Sequence, residues 1–361
     1  MQNRWKLLSA VVFVVLGLAA LVWFLTRPVY LPGEHDHVLL SHVQATVPAS
    51  EPLRSLEVPE TQGAAATPTP AALNGTVYAH FGWGSGQSAL ARDRPEEANP
   101  EAPMSLIATD DGAVVLDQLN GRVVRLDKNG KFVREDKLHV QAAQEIALGP
   151  HGELLAMDRL ISKEVEILDK AGHSLGKLPL EGKGIENGGS TTGLFVSGDK
   201  VYAETSHSVL IELGDVGGKA SAERTQLSGR PSRDGSMLLS AGRKDGDGTR
   251  LWINALSTAK KQMKWARDVG MGAPIRQILL LESDMRGVVY TAMELAHDDQ
   301  HVVTQLMCLA PDDGRVLGRV TLPTNTLPEE TFRDLSVRDD GTVLYVHRTE
   351  DGSQYLQYHC P

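Results

Sequence analysis

The chain has 361 residues, a formal net charge of −10 and only 5% aromatic residues. No basic stripe interleaves with aromatic side chains, so a nucleic-acid partner, which needs an electropositive face, is disfavoured. Two cysteines are too few for a disulfide-built scaffold, and the length is ample for a sizeable hydrophobic core.

The first 26 residues read as a membrane anchor. Arg4 and Lys6 precede an uncharged apolar run over 7–25, with Trp5 and Trp23 near its ends. Nineteen helical residues span roughly 28 Å, close to the thickness of a hydrocarbon core. A cleaved signal peptide is the alternative, but the run is long for one and small residues are missing at the cleavage spacing. The flanking charges keep the amino terminus in the cytoplasm and place the rest in the periplasm or outside. Residues 27–74 turn to Pro, Ala, Thr, Ser and Glu without periodicity, which predicts a disordered tether. His35, His37 and His42 lie within it and read as polar juxtamembrane residues, not as a metal site.

From residue 75 the pattern changes to short apolar runs split by turn residues. Asp110-Asp111-Gly112 and Lys128-Asn129-Gly130 carry hairpin chemistry between strands at 106–108, 113–116 and 123–126. The plan recurs near residue 152, and hairpin glycines follow at Gly112, Gly152, Gly198, Gly235, Gly287 and Gly341, spaced 40, 46, 37, 52 and 54 residues apart. Such a period built from short strands predicts an all-β, six-bladed propeller over 75–361. The fourth blade is the weakest, because Pro231 falls where an inner strand should donate to its sheet. Residues 76–81 alternate well and are expected to close the ring against the last blade.

The residues 81–86, 103–112 and 115–130 together resemble an NHL repeat of the six-bladed propeller superfamily, with Asp117, Asn120 and Arg122 in the turn before the third strand. Later blades lose that signature. The resemblance implies a central channel with ligands or metals at the mouth where inner strands begin; hydrolytic and lyase members hold calcium or zinc there.

Aligning the blades on their hairpin glycines nominates Ser105, Glu145, Thr192, Ser228, Gln277 and Asp334 as mouth residues, with Arg276 and Arg333 one position earlier. The two arginines are expected to project toward the same mouth and suit an acidic peptide or small anion. Glu145 and Asp334 are the alternative metal ligands, for calcium or zinc, which the arginines oppose. A calcium loop at Asp245 and Asp247 lacks the required spacing and reads as a solvated turn. Cys308 and Cys360, in equivalent third strands of adjacent blades, are expected to lie beyond the roughly 7 Å Cα limit for a bridge. No nucleophile elbow, zinc-protease motif or phosphate loop is present. The expectation is a tethered interaction or ligand-sensing module without a cofactor, its partner an envelope protein or an acidic ligand. A lactonase-like metal-dependent hydrolase or lyase is the alternative.

Overall fold

The computed structural model describes residues 75–244, 246, 248–298 and 301–360. The anchor and tether expected over 1–74, and Asp245 and Asp247, lie outside the described residues. Blade 1 is an antiparallel meander of Ser105–Thr109, Gly112–Asp117, Arg122–Asp127 and Phe132–Lys137. Between Ser105 and Asp117 its first two strands are apolar on both faces and buried except at Thr109, as strands covered on both sides are. Gly112 turns its first hairpin with φ of 150°, and a Cβ there would strike the Leu126 carbonyl, so no side chain fits.

The meander then repeats. Blade 2 uses Glu145–Leu148, Leu154–Asp158, Glu164–Leu168 and Ser174–Pro179, and blade 3 uses Thr191–Ser197, Lys200–Thr205, Val209–Asp215 and Gln226–Ser228. Blade 4 uses Arg230–Pro231, Met237–Arg243, Arg250–Ser257 and Gln262–Gly270, and blade 5 Ile275–Ser283, Val289–Ala296, Val302–Leu309 and Val316–Leu322. In blade 6, Leu335–Val337, Val343–Thr349 and Gly352–Tyr358 are completed by Thr76–Trp83, which pairs antiparallel with Gly352–Tyr358. The described residues therefore form a six-bladed β-propeller whose ends close one sheet. All six expected hairpin glycines have positive φ.

Blade 4 keeps its sheet by shortening its inner strand to two residues. Pro231 stands opposite Leu238, and the next ladder bond is Ser232 N–H to the Met237 carbonyl at 2.8 Å. Hydrogen-bonded pairs alternate along an antiparallel ladder, so Pro231 occupies the position whose missing donor costs nothing. The second strand of this blade then packs against the inner strand of blade 5 in place of a full inner strand.

Cys308 and Cys360 form a disulfide across a Cα separation of 6.2 Å, which corrects the expectation from strand equivalence. The reason is register. Cys360 lies beyond the end of Gly352–Tyr358, so it leaves the radial position of a third strand and reaches the end of Val302–Leu309 in blade 5.

Candidate functional site

The inner strands line an axial channel, and charged side chains narrow its waist. Ser105 Oγ donates to Glu145 Oε1 at 2.5 Å, and Arg333 Nη2 lies 3.3 Å from Glu145 Oε2. Glu282 faces the other side of Arg333 at 4.0 Å and accepts from the Val337 N–H at 2.9 Å. Arg230 forms a fork onto Glu204 at 2.7 and 2.9 Å, and both Arg230 and Arg333 lie over the Phe195 ring. A void of only about 40 Å³ remains among these groups. Burial pushes the Glu145 carboxyl above its usual range, opposed by Arg333 and the Ser105 hydroxyl.

On either side of the waist the channel widens into a cup. The cup on the side where inner strands begin holds about 520 Å³ and is lined by Thr192, Gln277 and Asp334 among others. The cup at the hairpin-glycine side holds about 460 Å³, between Arg233, Asp110 and Asp339. Arg233 pairs with Asp339, and burial together with a hydrogen bond to Asp339 raises the Asp110 carboxyl.

Thus the nominated mouth residues divide. Ser105, Glu145 and Arg333 meet at the waist, while Thr192, Gln277 and Asp334 face the strand-start cup. Arg276 does not join Arg333: its side chain is 65% exposed and lies 3.8 Å from Glu294, whereas Arg333 lines the waist and the opposite cup. Ser228 is not on the channel. It pairs with Val209 in the outer strand of blade 3, because the count back from Gly235 assumed a full inner strand and that strand begins only at Arg230.

Glu145 and Asp334 each answer a different arginine. Asp334 takes Arg348 through both oxygens at 2.6 and 2.9 Å, and Glu145 is held by Arg333, Ser105 and the Ile146 N–H. Carboxylates already engaged by guanidinium groups are a poor donor set for a divalent cation.

Glycine alignment passed over the partners because they sit at the far end of the second strands. Asp117 and Asp158 end their second strands, and Glu204, Glu294 and Arg348 place a charge within two residues of the end of theirs. That interruption was the available signal. In blade 1 it is internal: Asp117 accepts from Asn120 and from Arg122, both at 2.8 Å, binding the turn that carries the NHL-like residues.

No family model matches the sequence, and no curated protein matches it. Solved structures do. A member of the duf4221 family from Bacteroides vulgatus is 10% identical, with 79% of this chain and 97% of that one covered and a TM-score of 0.48. The C-terminal WD40 domain of Sif2 is 12% identical over 74% of this chain and 84% of that one, with a TM-score of 0.39. BamB from Moraxella catarrhalis is 13% identical over 74% and 99%, with a TM-score of 0.36. At such identity the likeness concerns the fold alone.

Proposed function

We propose that this chain is a membrane-tethered propeller of the cell envelope that holds an envelope protein or ligand on its strand-start face and carries out no chemistry of its own. The carrying observation is the narrowed channel. Its paired waist separates two cups, and the strand-start cup is a polar recess of about 520 Å³ rimmed by inter-blade loops, within the size range of ligand sites.

Beside that cup, the turn between the second and third strands of blade 2 exposes Leu160 and Ile161 at 56% and 59%. Adjacent apolar residues left in water next to a recess suit a partner surface. The apolar run over 7–25 and the Pro/Ala-rich stretch over 27–74 support an anchor on the inner membrane and a leash, which raises the local concentration of the disc near envelope partners. The turn built on Asp117, Asn120 and Arg122 supports kinship with NHL propellers. The metal-dependent hydrolase or lyase reading draws less support, since its ligands Glu145 and Asp334 are separately neutralised by Arg333 and Arg348.

Photo-crosslinking residues placed one at a time test the face. Positions Leu160, Ile161 and Leu327 on the strand-start side should yield a discrete adduct in intact membranes, and Asn129, Lys170 and Lys260 on the opposite side should not. Equal adducts from both sides, or none from the first, overturn the proposal.

A further inference from the structure

We propose that the strand-start cup is a carboxylate-binding site anchored by Arg159. The proposal rests on the reading of that face as the binding face and names the chemistry of what it takes. Around the cup, the other charged side chains each have an oppositely charged partner within the chain, although Glu329 Oε2 and Arg348 Nε make no hydrogen bond among the described residues. Arg348 holds Asp334, Arg230 holds Glu204, Glu329 receives Arg94 at 2.6 Å, and Glu294 lies 3.8 Å from Arg276.

Arg159 is different. Its Nη1 donates to the Gly189 and Thr191 carbonyls, both at 3.0 Å, and its guanidinium lies 5.1 Å above the Phe332 ring. Nε has no acceptor and Nη2 makes no hydrogen bond among the described residues. Among the described residues Arg159 makes no ion pair; Glu330 acts on it only through space. A half-buried guanidinium with one edge satisfied and the other unpaired is costly unless a counter-charge completes it.

The geometry is pre-set. The Arg159 N–H donates to Gln144 Oε1 at 2.9 Å, and Asp158 accepts from the N–H groups of Leu160 and Ile161, which fixes the turn that presents the side chain. With two carbonyls and a ring holding the guanidinium flat, the donors without partners lie on the Nε and Nη2 edge, a fork matched to one planar carboxylate that must displace what closes Nε from solvent. Glu294, Glu329 and Asp334 line the same cup and disfavour a dianion such as phosphate. Thr192, Gln277 and Asn325 offer neutral hydrogen bonds to the rest of the ligand. The carboxylate comes from a free small acid or from a peptide; the chemistry is shared.

The test titrates the detergent-solubilised full chain with propionate, a monocarboxylate, and, separately, with a blocked Gly-Asp-Gly peptide, following the Arg159 Nε–H resonance by NMR. Saturable movement of that resonance is expected with one or both probes, propionate alone marking a free acid and the peptide alone a peptide ligand. Arg159→Gln should weaken binding at least tenfold, and Arg159→Lys should fail to restore it, because a lysine keeps the charge without the fork. Should Arg159→Gln misfold, the wild-type resonance still decides. If the resonance stays still with both probes up to about 20 mM, or binding survives in Arg159→Gln, the assignment is wrong. Photo-adducts persisting on the strand-start face would then leave the binding-face reading standing, and their absence would sink both.

Discussion

Arg348 and Asp334 are nearly removed from water, with side chains 4% and 12% exposed, and their two hydrogen bonds form a fork. Truncating one partner of such a pair strands the other charge, at a cost of about 3–5 kcal/mol. Arg348→Ala should therefore lower the melting temperature by roughly 10 °C for a domain of this size. Replacing both residues by leucine should recover much of that loss; a single mutant melting like wild type would show the pair to be idle. Next to it, burial reinforced by Arg348 pulls the His347 imidazole below its usual range, and its Nδ1 has no partner. The folded state thus binds this proton less readily than the unfolded chain, so the contribution is present at neutral pH and is lost as pH falls below about 6.5. His347→Leu should flatten the acid limb of melting temperature against pH. An unchanged limb would remove His347 from the account.

Turn chemistry made the elements legible. Asp-Gly and Asn-Gly turns are local, so six hairpin glycines and the closing strand Thr76–Trp83 could be placed from sequence. Register inside a blade was less legible, because it depends on where the chain enters. Spacing from the hairpin glycine puts Ser228 on the channel, yet the inner strand of blade 4 starts at Arg230, where Pro231 fits the ladder without donating. The site was only half readable for the same reason. Alignment on glycines found Glu145 but not Glu204 or Arg230, whose meeting joins two blades. The disulfide also escaped, since its approach is set by the chain beyond the last strand. Cys308–Cys360 closes a separation of 52 residues, for which chain entropy gives about 4 kcal/mol. Replacing both cysteines by serine should lower the unfolding free energy by that order and move the denaturation midpoint downward, and reductant should shift wild type alike. A midpoint indifferent to reductant would contradict the bridge.

Across the whole propeller, hydrophobic clusters span the junctions of blades 1 with 2, 2 with 3, 4 with 5, 5 with 6, and 6 with 1. Among the described residues the junction of blades 3 and 4 is made differently. There the Arg230–Glu204 pair bridges the blades beside a groove of about 240 Å³ lined by Ala241, Trp252 and Val209. The ring is thus apolar between most blades and polar along its axis, where paired charges narrow the waist between the two cups. The strand-start face combines a recess, an arginine without an ion pair among the described residues, and exposed Leu160 and Ile161. Hydrogen exchange of the full chain in its native membrane, compared with the same chain extracted and purified, tests this claim most directly. Protection in the membrane should be confined to the strand-start turns at 159–163 and 206–208, with 128–131 and 169–173 exchanging alike in both states; protection of the latter turns, or of neither set, would contradict the account.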